Sequence, residues 1–166
     1  MSFTNRISQA IHEEHRATIA LMERLEQLIA RHRRAPPDTS AAGVTQLLAD
    51  LAAGVEADVR RHFDFEEGRL FAYLEAVGDE AIGAHLTDEH SAMRPLGMRL
   101  AEVAREAAAR GFNEASWAEF RRLGQEFCER VIAHVQKEEM ALLPLLEETM
   151  DADAEMRLYE EYVATA

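Results

Sequence analysis

The sequence predicts an all-α protein: an antiparallel up-down-up-down four-helix bundle with a short C-terminal helix. Three observations predict it. Apolar residues recur at three- and four-residue steps along four long stretches, with almost no strand-like alternation. Only a few short breaks separate these stretches, and long helices joined by short connections pack as antiparallel neighbours. At 166 residues and 48% hydrophobic content, the chain suits one domain, residues 1–166, around a single core.

The first helix is expected from about Thr4 to Arg34, with Ile11, Ile19, Met22, Leu25 and Ile29 on one face. "APPDTS" at 35–40 ends it, because proline cannot sit inside a helix and Asp, Thr and Ser cap the next one. The second runs from about Ser40 to Val77, weakened by Gly43, Gly54 and Gly68. "GDE" at 78–80 is a tight turn. The third helix reaches about Arg110 with a bend expected at Pro95, and "GFN" at 111–113 breaks it. The fourth runs from about Asn113 to Met150 with a kink expected at Pro144. A short fifth helix from Asp151 would carry Met156, Leu158, Tyr159 and Val163.

Charge narrows the partners. Against 18 Lys+Arg stand 31 Asp+Glu, a net −13 that repels nucleic acid and anionic membranes. No stretch reaches the roughly 18 apolar residues of a membrane span. The N-terminal residues lack the layout of a secretory signal. With a single cysteine, Cys128, a reducing cytoplasmic location is the expected one. The oligomeric state stays open between monomer and homo-oligomer.

Polar residues interrupt the apolar stripes. On the fourth helix the buried side reads Phe120, Leu123, Phe127, Val131, His134, Glu138, Ala141 or Leu142, Leu145. On the second it reads Leu48, Leu51, Val55, Val59, His62, Glu66, Leu70, Tyr73 or Leu74, Val77. The first offers Ile11, His15, Ile19, Met22, and the third Ile82, Leu86, His90, Met93. An ionised carboxylate buried without a partner is costly, so Glu66 and Glu138 need one. At about 1.5 Å per residue, His15 and His62 both lie about 30 Å from the first interhelix loop. Glu66 and His90 lie about 18 Å from the turn at 78, and His90 and His134 about 33 Å from the break near 112. All six residues therefore share one level of the bundle.

Four imidazoles and two carboxylates converging in a dry core point to a metal site. With no thiolate the set suits iron or manganese, and two carboxylates can bridge a pair of ions with two histidines left for each. Six-coordinate ions would keep open positions for a small ligand. The second nitrogen of each imidazole needs a partner, for which Glu89, Glu67 and Asp58 are near in sequence. A single His-x-x-x-Glu is usually an exposed pair; two such pairs plus two histidines at one height are not. His12 would line the mouth of the cavity, His85 points to the surface, and His32 belongs to a basic helix end. Glu139 sits about 100° round from Glu138 and is expected in solvent or behind the site. Cys128, Trp117 and the phenylalanines are core.

The ordered motif His15, His62 and Glu66 in "RHFDFEEGRLF", His90 in "TDEHSAM", and His134 and Glu138 in "AHVQKEEMALLPLL" resembles the hemerythrin-like (HHE cation-binding) family. The resemblance implies a non-haem di-iron centre, two iron (or manganese) ions with an oxo or hydroxo bridge. Glu66 and Glu138 would bridge, His15 and His62 would serve one ion, and His90 and His134 the other. Oxygen carriers of the family have His-x-x-x-His on the third helix, where this chain has Leu86 and Arg94 around His90. They have His-x-x-x-x-Asp on the fourth, where Glu138 comes one residue earlier. The expectation is a more open centre that binds or senses oxygen, nitric oxide or peroxide. The alternative is a di-iron enzyme, catalase-like or oxidase-like. Ferritin-like iron handling uses Glu-x-x-His pairs, and no histidine here has a carboxylate three residues before it.

Overall fold

The computed structural model describes residues 3–165. Four long helices form a bundle and a fifth, shorter one follows. Helix α1 is Arg6–Arg31. Helix α2, residues 42–76, joins α-helical Ala42–Ala57, Phe63–Phe65 and Ala72–Ala76 through two π-helical segments, Asp58–His62 and Glu66–Phe71. Helix α3 is Ala81–Arg110. Helix α4, residues 114–149, joins Glu114–Lys137 to Leu143–Thr149 through a third π segment, Glu138–Leu142. Helix α5 is Ala152–Thr165.

The ends follow from local chemistry. Asn113 caps α4 by accepting from the Ser116 N–H, and the Ser116 hydroxyl oxygen accepts in turn from the Asn113 N–H. Gly111 ends α3 at φ 78° and Gly78 makes the α2–α3 turn at φ 92°, both in the left-handed region where a side chain is strained. Pro95 lies inside α3, which runs on through it. Near Pro144 the helix does change: Pro144 has no N–H for the Met140 carbonyl, and the π segment falls on that turn.

Side-chain contacts show that neighbouring helices run antiparallel. Thr18 meets Asp58 and Arg24 meets Asp50 between α1 and α2. Arg105 meets Glu56 and His90 meets Glu67 between α2 and α3. Arg99 meets Glu119 and His134 meets Glu89 between α3 and α4. Trp117 donates to the His32 carbonyl and Glu147 accepts from Thr4, which pairs opposite ends of α4 and α1. The order around the bundle is therefore α1, α2, α3, α4 and back to α1. Glycines allow the close approaches: a Cβ on Gly54 would lie 2.9 Å from Leu21, and one on Gly124 would lie 3.0 Å from Ile29.

Two apolar clusters fill the bundle. One holds Leu25, Leu51, Phe120 and Phe127; the other holds Ile7, Ile11, Leu70, Leu86 and Leu146. The buried histidines and glutamates of the four long helices lie between them along the chain. At the periphery the apolar stripes fade. Val77 is exposed at the end of α2, and on α5 only Ala154 and Leu158 are buried, while Met156 and Val163 face solvent. Leu74 and Leu142 are the buried members of their pairs, not Tyr73 or Ala141. No described helix is long and apolar enough to cross a membrane.

The π segments have a sequence correlate. Leu51, Val55 and Val59, then Glu66, Leu70 and Leu74, and on α4 His134, Glu138, Leu142 and Leu146, are runs of four-residue steps. Each such step overshoots an α-turn by about 40°. Wider turns absorb the overshoot and keep the stripe facing inward.

A Cβ added at Gly97 would sit 2.8 Å from Phe127 and 2.9 Å from Val59. Gly97→Ala is expected to cost about 1–3 kcal/mol in chemical denaturation. Gly43→Ala, which meets open space, should gain about 0.5–1 kcal/mol. Cys128 is buried against Met22, and burial pushes its thiol up to about 12. Its modification at pH 8 should be at least about 100-fold slower in the native protein than in denaturant.

Candidate metal centre

The structure brings His15, His62, Glu66, His90, His134 and Glu138 together. All six are buried, both carboxylates at 0% exposure. They form two overlapping groups, His15–His62–Glu66–Glu138 and Glu66–His90–His134–Glu138, each with its ligating atoms within 4.8 Å of one another. Each carboxylate belongs to both groups. Glu66 Oε1 is 3.2 Å from His62 Nε2 and its Oε2 is 3.3 Å from His90 Nε2. Glu138 Oε2 is 2.8 Å from His15 Nε2 and its Oε1 is 2.9 Å from His134 Nε2. His90 and His134 face each other with their Nε2 atoms 2.9 Å apart.

The other nitrogen of each imidazole meets a second carboxylate. His62 Nδ1 is 2.6 Å from Glu14, His90 Nδ1 is 2.8 Å from Glu67, His134 Nδ1 is 2.8 Å from Glu89, and His15 Nδ1 is 2.6 Å from Glu139. A carboxylate acceptor fixes Nδ1 as the outward-facing donor and turns Nε2 toward the cage. The glutamates hand round the bundle: α1 reaches to α2, α2 to α3, α3 to α4, and α4 back to α1. Each is anchored in turn. Glu14 takes Arg61 and accepts from Tyr162 of α5 at 2.7 Å; Glu67 takes Arg94; Glu89 takes Lys137; Glu139 takes His12 at 2.8 Å.

Electrostatics follow from this double layer. Burial pushes His15 down, but Glu138 and Glu139 outweigh it and hold the ring up at about 9. Burial acts the same way on His62, and Glu66 and Glu14 outweigh it to a rise well above the usual value. Burial would raise Glu66 and Glu14. Instead His62 and His90 hold Glu66 well below the carboxylate range, and His62, Tyr162 and Arg61 hold Glu14 at about 2. Glu66 is therefore held as a carboxylate although it is fully buried.

That charge is not matched by hydrogen bonds. His15 Nε2 and all four oxygens of Glu66 and Glu138 are buried with no hydrogen-bond partner, since the short distances across the cage lack hydrogen-bonding angles. Buried polar atoms are seldom left so. Nitrogen and oxygen atoms converging with so few hydrogen bonds among them fit a pair of divalent ions.

The fold and this ligand-like cluster decide the family, because the model described as hemerythrin HHE cation binding domain matches residues 6–146. The chain belongs to that family. No curated protein matches the chain in a sequence comparison. Within the hemerythrin fold, helix α5 lies beyond the matched stretch, yet its Tyr162 reaches Glu14. On α3 the residues flanking His90 turn to other tasks: Leu86 is buried among apolar side chains, and Arg94 bonds Asp64, Glu67 and the Val59 carbonyl of a π segment. Phe63 stacks on His90 at 3.9 Å, with Phe71 stacked at 5.8 Å.

Glu67 and Glu89 are the outer partners expected from sequence. Asp58, the third candidate, does not meet a histidine: its carboxylate accepts from Thr18, and burial raises its pKa. Glu14 was missed, and Glu139 takes the second of its two expected places, behind the site, where it holds His15. A signal was present, because every helix sets a glutamate beside an inner residue: Glu14–His15, Glu66–Glu67, Glu89–His90, Glu138–Glu139. His12 lies outside both groups and His85 is exposed.

Removing Arg94 leaves the Val59 carbonyl and Glu67 short of a donor. Arg94→Ala should therefore lower the stability of the metal-free protein by about 1–3 kcal/mol. Arg130→Ala, which breaks only an exposed i,i+4 pair with Glu126, should change it by less than about 0.5 kcal/mol. Urea unfolding of both variants checks the contrast.

Proposed function

We propose that this hemerythrin-family chain is a single-domain protein that holds two iron ions and uses them to bind or sense oxygen, nitric oxide or peroxide. The observation that carries the reading is the pair of four-residue groups sharing Glu66 and Glu138, with five orphaned polar atoms between them. In this reading Glu66 and Glu138 would be shared by the two ions, His15 and His62 would hold one, and His90 and His134 would hold the other. The donor set, nitrogen and oxygen without thiolate, suits iron, with manganese as the competing occupant. When bound, the ions supply redox capacity and open coordination positions for a small ligand.

The chain's own residues do the rest. Glu14, Glu67, Glu89 and Glu139 orient the four rings, so that donor geometry is in place before any ion arrives. Phe63, stacked on His90 and edge-on to His62 and His134, walls the cage with a ring that offers neither a donor nor an acceptor. The apolar clusters on either side keep water out.

Protein produced in iron-replete cells should contain about two iron ions per chain, as two donor groups require. Absence of both iron and manganese would sink the assignment. Ions at 100 times their dissociation constant should stabilise the fold by about 2.7 kcal/mol, read as a higher melting temperature that a chelator reverses. His62→Ala and Glu138→Ala should each lose one or both ions while staying helical by circular dichroism. Glu67→Gln should weaken binding by about 10–100-fold. Exposure of the reduced protein to oxygen or nitric oxide should give a visible band that reverses when the gas is removed. Sustained oxygen release from peroxide would instead support an enzyme.

A further inference from the structure

The four outer glutamates are not anchored alike. Glu14, Glu67 and Glu89 each meet a guanidinium or an ammonium, from Arg61, Arg94 and Lys137. Among the described contacts, Glu139 meets only imidazoles, His15 and His12. Both members of the outer pair are partly open to solvent: the His12 side chain is 33% exposed and that of Glu139 is 25% exposed, against 3% for His15.

A cleft of about 360 Å³ opens at this corner, between α1 and α4. Ile19, Ala20 and Val135 line it beside His12, Glu139 and His15. His15 is thus shared: one edge of its ring faces the cleft, and its Nε2 is 2.8 Å from Glu138 inside the cage. Two other clefts approach outer glutamates, one at Glu89 and one at Glu67, but no cage histidine lines either of them.

We propose that the α1–α4 cleft is the port through which a small uncharged molecule reaches the His15 side of the cage, with His12–Glu139 as its movable door. The inference rests on the cage being the binding site proposed above. Charge selects the traveller. Glu139 and Glu23 at the cleft disfavour anions, and Arg16 on the rim is already paired with Glu13. The aliphatic walls suit a diatomic gas. Opening requires Glu139 to leave His15 while keeping or exchanging His12, and no Arg or Lys pairing has to break. At the other three corners the same movement would strip a carboxylate from a fixed cation.

The test plugs the cleft from its wall. Ala20→Trp fills it without replacing a cage residue, and Ala133→Trp fills the α3–α4 cleft as the control. Nitric oxide is mixed with the reduced, iron-loaded proteins in a stopped-flow spectrometer. The on-rate should fall at least about fivefold in Ala20→Trp and stay within about twofold in Ala133→Trp. His12→Ala should raise it. A second measurement needs no metal. In the metal-free parent under oxygen pressure, paramagnetic relaxation should reach the Ile19 and Val135 methyls and the His15 ring protons. Ala20→Trp should remove it from His15. Unchanged on-rates in Ala20→Trp, slowing by Ala133→Trp instead, or a His15 ring untouched by dissolved oxygen would each overturn the port. A protein that takes up no iron would instead overturn the metal reading, and the relaxation measurement would still judge the cleft.

Discussion

Two carboxylates buried side by side, Glu66 and Glu138, both without solvent exposure, impose the condition that the rest of the structure answers. Charge taken out of water is tolerated only when other charges and dipoles are arranged around it. Here the arrangement is four imidazoles facing inward and four glutamates facing those imidazoles from outside. Those glutamates need cations or donors of their own, which brings in Arg61, Arg94, Lys137, His12 and Tyr162. The requirement spreads from the axis of the bundle to its surface in three layers. Each layer is made of side chains from different helices, so the demand of two residues is met by the whole bundle.

The direction of the outer bonds gives the site mechanical closure. Every long helix supports the histidine of the next and is supported by the one before. A shift of one helix along its axis would disturb two joints at once, and the π segments sit where α2 and α4 place their inner carboxylates. The widened turns keep runs of four-residue steps on the inner face, and Arg94 takes the carbonyl of Val59 in one of them. Irregular helix and cage geometry are therefore one problem solved together.

The inner cage was legible in the sequence because its residues break a pattern. His62 and Glu66, and His134 and Glu138, occupy stripe positions where leucine belongs, and counting along the helices places them at one height. The outer layer was harder to read. Glu14 serves a histidine on α2, not its neighbour His15, and only tertiary packing decides which ring a surface-side glutamate meets. Asp58 lies one turn before His62 on the same helix, yet its carboxylate accepts from Thr18 of α1. Val77, Met156 and Val163 keep apolar spacing but sit where no facing helix remains to cover them. Periodicity reports which face is apolar, not how far along that face a neighbour extends.

Helix α5 has a consequence of a different kind. It lies past the stretch that defines the family, held by Arg6–Glu155 and Arg69–Glu161, and it delivers one phenol to Glu14. An appendage thus touches the support of His62 without contributing to the cage. Such an arrangement lets the properties of one half of the centre drift by changes in a tail, while the bundle that builds the cage stays as it is. The two halves, alike in composition, become separately adjustable, and the handle for one of them is a hydroxyl.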